Sequence, residues 1–183
     1  MNKLNLILGS LSFLMILVIA FAVMSFTPVS TSFSKKEEYS CTPCGQSCDK
    51  AVYPEKGICS HCQMPLVKKS SINFKTIEPS EVCNYISKNP KVILLDVRTK
   101  EEFEGRVEPG FGRLKNAINL PIQELEANIG LLSAYKDKEI IVYCSRSRRS
   151  PRASYILTQN GFKKVSNMAG GMSVMKDISC KVQ

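Results

Sequence analysis

A single cysteine and a group of arginines crowd one short stretch in the C-terminal half of the chain. Cys144 opens this stretch, residues 144–149, here called the cysteine loop, and four arginines follow it within eight residues. They are Arg146, Arg148, Arg149 and Arg152. Nearby cations, backbone N–H groups and the positive end of a helix dipole lower the pKa of a thiol, and they also attract anions. The stretch therefore predicts a Cys144 thiolate beside an anion site, with a solvated basic patch as the alternative.

The elements on either side decide where this thiol would lie. The apolar run IIVY before Cys144 is typical of a buried parallel strand. Residues 150–161 have the pattern of a helix, with Ser150 as N-cap, Pro151 at its first position and Gly161 at its end. Ligands of open parallel sheets bind beyond the carboxyl ends of the strands. We therefore expect the cysteine loop at the functional edge of a sheet.

Strand and helix patterns alternate over about 110 residues of the chain. Strand patterns occupy residues 73–77, 91–97, 117–121, 138–144 and 162–168. Helix patterns occupy residues 79–89, 99–105, 122–135, 150–161 and 172–179. Such alternation predicts an α/β domain with a mostly parallel central sheet flanked by helices on both faces.

Four separated motifs in this region resemble those of the rhodanese-like domain. They are DVRTKEEF at 96–103, GRLKNAINLP at 112–121, IIVYCSRSRRS at 140–150 and AGGM at 169–172. Their order and spacing match that family over about residues 73–177. The resemblance implies a rhodanese-like fold and a sulfurtransferase activity of the thiosulfate sulfurtransferase type.

The resemblance also implies a reaction and assigns roles to residues. In the family, a loop cysteine takes sulfane sulfur from a small anionic donor such as thiosulfate and becomes a persulfide. A thiol, a protein acceptor or cyanide then removes the sulfur, and the reaction needs no cofactor. The implied catalytic residues are Cys144 and the loop-closing Arg149. The implied substrate contacts are Ser145, Arg146, Ser147, Arg148, Asp96 and Arg98; for Asp96 and Arg98 a structural ion pair is the alternative.

The length of the cysteine loop distinguishes a rhodanese-like site from the sites of related enzyme families. The related phosphatases and arsenate reductases have the pattern C-x5-R, whereas Arg149 closes a C-x4-R pattern and Ser150 stands at the sixth position. The count favours sulfur over a tetrahedral oxyanion. A non-catalytic metal-binding and sulfur-carrier module is the second alternative. Ser147 stands where the family usually has glycine, which raises the cost of a positive φ angle there.

A cysteine-rich segment, residues 38–68, precedes this region. Cys41-x2-Cys44 and Cys59-x2-Cys62 are separated by fourteen residues, and this pattern resembles a short zinc ribbon. Four thiolates at this spacing suit a structural zinc ion, and so small a unit needs a staple of some kind. Disulfide bonds and a redox-active or transferable-metal site are the alternatives.

The remaining cysteines have weaker signals. Cys48 is an unassigned fifth thiol in the segment 38–68. Cys83 lies on a predicted helix and is expected in the core. Cys180 lies near the C-terminus, where we expect a bystander, with a resolving thiol for the Cys144 persulfide as the alternative.

The N-terminus predicts a membrane segment. Residues 4–26 carry no charge and are long enough to cross a bilayer as a helix. A cleaved signal peptide with Ala20-Phe21-Ala22 as its cleavage site is the alternative. Lys3 lies before the span, so the rest of the chain is expected outside the cytoplasm, either membrane-anchored or exported.

Composition limits the remaining classes of function. The chain of 183 residues has 25 Lys and Arg against 16 Asp and Glu, but the basic residues are scattered and no nucleic-acid motif appears, so nucleic acid is not an expected partner. The one histidine excludes zinc proteases with paired histidines. The predicted organisation is an anchor or signal peptide with tether at 1–33, a zinc-ribbon-like module at 38–68 and a rhodanese-like domain at 73–183.

Overall fold

The computed structural model describes residues 36–182, and the chain from Lys36 onward forms one compact unit. The predicted anchor or signal peptide with its tether, residues 1–33, lies outside the described residues. Between residues 36 and 182, no helix combines the length and apolar character needed to span a membrane.

Nine strands and four helices are joined by short 3-10 turns in the described part of the chain. The strands are β1 Tyr39–Cys41, β2 Leu66–Lys68, β3 Lys75–Ile77, β4 Ile93–Asp96, β5 Arg113–Leu114, β6 Ile118–Asn119, β7 Glu139–Tyr143, β8 Lys164–Met168 and β9 Lys181–Val182. The helices are α1 Pro79–Lys88, α2 Lys100–Phe103, α3 Ile122–Leu125 and α4 Ser150–Gln159.

A five-stranded sheet forms the centre of the α/β domain, in the order β3-β8-β7-β4-β6. Every neighbouring pair in it is parallel, so all five carboxyl ends lie at one edge. β7 is the central strand and pairs with β4 and β8. The predicted mostly parallel sheet is confirmed, and the cysteine loop leaves its carboxyl edge from the middle of the sheet.

Alternate residues of the central strands feed two separate cores. Leu95 of β4 and Val142 of β7 pack into a core that α4 covers, whereas Leu94 and Ile141 pack into a core on the opposite face with α1. This alternation follows from the period of two along a strand. Helices therefore cover both faces, as the sequence predicts.

Two predicted helices are shorter than expected. The pattern at 122–135 forms only α3 and a 3-10 segment, Ile129–Tyr135, because Asn128 leaves the helical region at φ −112° and ψ 15°. The closing helix predicted at 172–179 is a single turn, Gly171–Val174. The chain after it returns as β9, which pairs antiparallel with β5.

This return places Cys180 beside α1, where it forms a disulfide with Cys83. The expectation of a bystander at Cys180 is therefore wrong, and so is a resolving role toward Cys144, because Cys83 already occupies this sulfur. The pairing depends on a contact across a sequence separation of 97 residues, which no local pattern contains.

The disulfide closes a loop of 97 residues, so its removal should destabilise the domain. Cys83→Ser is expected to lower the free energy of unfolding by about 2–4 kcal/mol, because an open chain gains entropy when it unfolds. Denaturant unfolding with and without a reductant measures this. Cys180→Ser should cost the same amount, and the double variant little more, since one bond is lost in all three. Wild-type stability that does not change on reduction would contradict the prediction.

The segment 38–68, the Cys-rich module, folds around its cysteines. β1 pairs antiparallel with β2 and brings the two ends of the module together. Cys41, Cys48 and Cys59 are buried, and the half-buried Cys44 and Cys62 pack against them. Besides these sulfurs, the small core contains the partly buried Met64 and Leu66.

Candidate active site and cysteine cluster

The cysteine loop is held by the chain that follows β8. The N–H of Met172 donates to the carbonyl of Cys144, and the N–H of Ser173 donates to the carbonyl of Ser145, both at 2.9 Å. Gly171 makes this approach possible at φ +68°, because a Cβ there would lie 2.5 Å from both carbonyl oxygens. The AGGM motif therefore shapes the site without supplying a reactive group.

The Cys144 thiol is buried and surrounded by donors, with only 1% of the residue exposed. Burial raises the pKa of this thiol, but the Ser150 hydroxyl and the N–H groups of Arg149, Ser150 and Arg146 lower it further, so the pKa lies below the ordinary value. The Cys144 Sγ and Ser150 Oγ lie 3.5 Å apart. The predicted cradle of N–H groups around the sulfur is present.

Ser150 differs from its predicted role. α4 begins at Ser150 itself, and Arg149 is the residue before it, so Ser150 does not cap the helix. Its hydroxyl faces the thiol instead. Pro151 does stand in the first turn, where its missing N–H costs nothing.

Glu102 holds Arg149 in place, a role that no sequence motif assigned to this residue. The guanidinium donates from Nη1 and Nη2 to the two carboxylate oxygens of Glu102, both at 2.6 Å. Ser145 Oγ donates to the same carboxylate at 2.8 Å. Two-pronged pairing of this kind fixes the direction of an arginine as well as its charge. Arg149 is therefore oriented rather than free.

The N-terminal turn of α2 holds Glu102 in position. It is the third helical residue, and its carboxylate accepts from the N–H of Thr99 at 2.9 Å while Thr99 Oγ1 accepts from the N–H of Glu102 at 3.3 Å. The T-x-x-E pattern of this capping box was visible in the sequence. Pairing with Arg149 holds the pKa of Glu102 at about 2, so the carboxylate stays charged at neutral pH.

The other predicted loop arginines do not surround the thiol. Arg146 pairs with Glu108 at 2.5 Å and lies over the ring of Phe111 at 5.1 Å. Arg148 is exposed. The Nη1 of Arg152 lies 4.0 Å from the sulfur of Met64 in the Cys-rich module. These three arginines therefore fit the alternative of a solvated basic patch better than the prediction of a shared anion site.

Ser147 adopts the conformation that its side chain disfavours. Its φ is +54°, in the left-handed region where the family usually has glycine. Its hydroxyl donates to the carbonyl of Met168 at 3.4 Å. The Cys-rich module contacts the same residue, because the Cα of Gly45 approaches so closely that a Cβ there would lie 1.8 Å from the Ser147 carbonyl oxygen.

Asp96 and Arg98 form a buried pair. Both side chains are 0% exposed, and Arg98 Nη2 donates to Asp96 Oδ2 at 2.7 Å and to the carbonyl of Gly112 at 2.9 Å. Arg98 Nη1 has no hydrogen-bond partner among the described residues. Without exposed surface, this pair fits the structural alternative rather than the substrate contact implied by the resemblance.

The Cys-rich module gathers four thiols, whose membership differs from the predicted set by one residue. The Sγ atoms of the four-thiol cluster all lie within 4.8 Å of one another. The cluster comprises Cys41, Cys44, Cys48 and Cys62. Cys48, to which the sequence assigned no role, is therefore the fourth member of the cluster in place of the predicted Cys59.

Cys59 lies at the margin of this cluster. The N–H of Cys62 lowers the pKa of its thiol to about 6, and its sulfur lies 3.8 Å from the Tyr53 hydroxyl. It remains buried with the other thiols. The module thus holds five thiols for a site that needs four.

The donor set fits a thiophilic metal ion. Sulfurs around tetrahedral zinc lie about 3.8 Å apart, given Zn–S bonds of about 2.3 Å. The sulfurs of Cys44 and Cys48 lie 3.6 Å apart, those of Cys41 and Cys48 lie 3.9 Å apart, and those of Cys41 and Cys62 lie closer, at 3.0 Å. The cluster therefore could hold a metal ion.

Comparison with known proteins agrees with the motifs. The family model described as "Rhodanese-like domain" matches residues 78–177, more than half of the chain. The chain is 33% identical over 94 residues to the "Putative thiosulfate sulfurtransferase, mitochondrial" of Schizosaccharomyces pombe, covering 46% of this chain and 66% of that protein. It is 28% identical over 113 residues to a "tRNA uridine(34) hydroxylase" of Cronobacter sakazakii, covering 55% of this chain and 31% of that protein.

Solved structures also match this chain. The sequence relatives named above are matched over only part of their own length. A rhodanese-related protein from Thermoplasma volcanium is 28% identical, with a TM-score of 0.47, covering 56% of this chain and 90% of that one. The chain spans about a third of the hydroxylases and about two thirds of the yeast protein. The matched region contains the parallel sheet and the cysteine loop described above, and the chain belongs to the rhodanese-like domain family.

Proposed function

We propose that this protein is a sulfurtransferase that carries sulfane sulfur as a persulfide on Cys144. One observation carries the proposal. A buried thiol with a lowered pKa lies among the N–H groups of its own loop, beside an arginine that Glu102 holds in place. Such a site can stabilise a negative charge on the sulfur both before and after transfer.

The proposed first step exchanges one S–S bond for another. The Cys144 thiolate attacks the sulfane sulfur of thiosulfate, the Cys144–sulfur bond forms, and the S–S bond of the donor breaks. Sulfite leaves with the electron pair, and the negative charge moves to the terminal sulfur of the persulfide. The N–H groups of the cysteine loop and the guanidinium of Arg149 are the groups that would hold this charge.

The second step returns the enzyme to its starting state. A thiolate or cyanide attacks the terminal sulfur, forms a bond to it, and the Cys144 thiolate leaves with the electron pair. The acceptor becomes a persulfide or thiocyanate. Neither step needs a cofactor, an oxidant or a proton donor beyond these groups.

Loop size favours sulfur over phosphate in this proposal. The loop from Cys144 to Arg149 is one residue shorter than the C-x5-R loops of the related phosphatases. Aryl phosphate should therefore be a poor substrate. The hydroxylase relatives match this chain over a domain-sized stretch alone, so their name adds no tRNA substrate to the proposal.

The test is persulfide formation on the full-length protein in detergent. Thiosulfate should add about 32 Da, the mass of one sulfur atom, to the peptide that contains Cys144. Cyanide should then remove the adduct and release thiocyanate. Cys144→Ser should abolish both signals, whereas Cys83→Ser, which touches the disulfide, should retain them. An adduct that persists in Cys144→Ser, or its absence from the wild type, contradicts the proposal.

Two further features belong to the same proposal. The four-thiol cluster would hold a structural zinc ion, since it gathers four thiols, the donor set that structural zinc prefers, within 4.8 Å of one another. Residues 4–26 would attach the protein to a membrane, with both folded parts outside the cytoplasm. The Cys83–Cys180 disulfide supports an oxidising compartment, because disulfides seldom persist in the cytosol.

A further inference from the structure

The Cys-rich module rests directly on the cysteine loop. A Cβ on Gly45 would lie 1.8 Å from the carbonyl oxygen of Ser147 and 3.2 Å from the Cα of Arg148. Gly45 adopts φ +73°, in the left-handed region that favours glycine. Only glycine can make both the turn and this approach.

The contact falls on the strained residue of the loop. A left-handed conformation costs a residue with a side chain about 1–2 kcal/mol, so it persists only where the surroundings impose it. The Ser147 hydroxyl reaches the Met168 carbonyl at a long 3.4 Å. Gly45 packs against the Ser147 carbonyl group. The Gly45 turn therefore lies against a residue whose conformation needs support from its surroundings.

A short path joins this support to the four-thiol cluster. Gly45 directly follows Cys44, which belongs to the cluster. The Asp49 carboxylate accepts the N–H of Cys44 at 3.0 Å and the N–H of Gly45 at 2.7 Å, which ties the turn to the 3-10 segment Ser47–Lys50. Cys48 of the cluster lies within that same segment. A metal ion bound by Cys44 and Cys48 would fix the turn at both ends.

A second short path joins Ser147 to the reactive sulfur. The N–H groups that face the Cys144 sulfur belong to Arg146, Arg149 and Ser150. Arg146 and Arg149 lie within two residues of Ser147 on either side. A rotation of the Ser147 backbone would therefore turn these N–H groups away from the sulfur.

We propose that metal binding by the Cys-rich module controls the reactivity of Cys144, with Gly45 as the positioning residue that holds Ser147 in its left-handed conformation. The consequence for sulfur transfer rests on the function proposed above. The control of Cys144 reactivity by the metal does not depend on that function, so experiments can contradict one proposal and leave the other standing.

The first test adds a methyl group at the contact. Gly45→Ala should slow iodoacetamide alkylation of Cys144, followed on its own peptide by mass spectrometry, by about tenfold, as a one-unit rise in thiol pKa would. The pH midpoint of alkylation should rise by a similar amount. Bound zinc per chain should stay the same.

A matched glycine serves as the control. Gly161 adopts φ +84°, but a Cβ there would meet nothing closer than the flexible Lys136 Nζ at 3.9 Å. Gly161→Ala therefore carries the same conformational cost without the contact, and it should leave alkylation unchanged. Alkylation of Gly45→Ala at the wild-type rate would overturn the proposal.

The second test asks whether the effect passes through Ser147. Ser147→Gly removes the side chain that makes the left-handed conformation costly, so the loop no longer needs the support. In this background, loss of zinc should slow alkylation less than twofold, whereas the clash of an alanine methyl at Gly45 with the backbone carbonyl of residue 147 would remain. An equal slowing in both backgrounds would overturn the assigned path.

The third test changes the metal alone. Stripping zinc with a chelator should slow alkylation of Cys144 in the wild type, and added Zn²⁺ should restore it. The zinc-dependent difference should disappear in Ser147→Gly. Wild-type alkylation that does not respond to zinc overturns the proposal, as does a module that binds no zinc. A missing persulfide with zinc-dependent alkylation would remove the proposed function and leave this inference standing.

Discussion

Glu102→Ala is expected to lower the rate of persulfide formation by about a hundredfold, the cost of moving a charge-stabilising group by about 1 Å. The carboxylate binds both ends of the Arg149 guanidinium and also accepts from Ser145 Oγ. Without it, Arg149 keeps its charge but loses its direction. A single-turnover reaction with thiosulfate, followed by mass spectrometry, measures the rate.

The neighbouring glutamate gives a matched control. Glu101 lies in the same short helix and pairs with Arg106 at 3.5 Å on the surface. Glu101→Ala removes an acidic side chain from α2 without touching the loop, so its rate should stay within twofold of the wild type. Equal rates for both variants would show that Arg149 needs no partner. Thermal unfolding of both variants checks that α2 still folds.

The state of this pair should be constant over a wide pH range. Arg149 lowers the folded-state pKa of Glu102 to about 2, from an ordinary value of 4.5. A lowered pKa contributes stability that is full above the unfolded value and is lost as the pH falls through the folded one. In the folded protein Glu102 therefore stays charged and paired with Arg149 until the pH approaches about 2, although the contribution of the pair to folding stability begins to fall below about pH 4.5. Activity lost near neutral pH would have to come from the thiol instead.

The parts of the site that the sequence predicted are local in the chain. Cys144 stands at a strand end because an apolar run precedes it, and the parallel sheet follows from the alternation of strand and helix patterns. The two cores follow from the period of two in β4 and β7. Each of these inferences uses residues within one element or its neighbours.

The parts that the sequence missed join residues far apart in the chain. Glu102 and Arg149 are 47 positions apart, and Cys83 and Cys180 are 97 apart. Nothing local marks either partner, since the T-x-x-E pattern around Glu102 indicates only a helix cap. The spacing of the cysteines predicted that the two Cys-x2-Cys pairs supply the four thiols of one site. It could not show that the 3-10 turn at Ser47–Lys50 brings Cys48 into the cluster.

Ser147 shows the limit of comparing a sequence with its family. A serine in place of glycine suggested that the usual loop conformation was costly here. The loop nevertheless adopts the left-handed conformation, with φ +54°. The compensation comes from Gly45, a residue of another module about a hundred positions earlier, so it can be found only once both are folded.

Arg98→Met is expected to lower the free energy of unfolding by about 3–5 kcal/mol, because it leaves the Asp96 carboxylate buried without its partner. Both side chains are 0% exposed, so water cannot replace the lost interaction. Denaturant unfolding measures the loss. Lys100→Met, on an exposed side chain two residues away, should change the free energy of unfolding by less than about 0.5 kcal/mol.

The double variant Asp96→Leu/Arg98→Met separates the two roles considered for this pair. If the pair is structural, replacing both charges with apolar groups should recover most of the lost stability, because no unpaired charge remains. Persulfide formation should then return close to the wild-type rate. If Arg98 binds the donor, the double variant would be stable and still slow, and added thiosulfate would restore the rate. The complete burial of both side chains leads us to expect recovery.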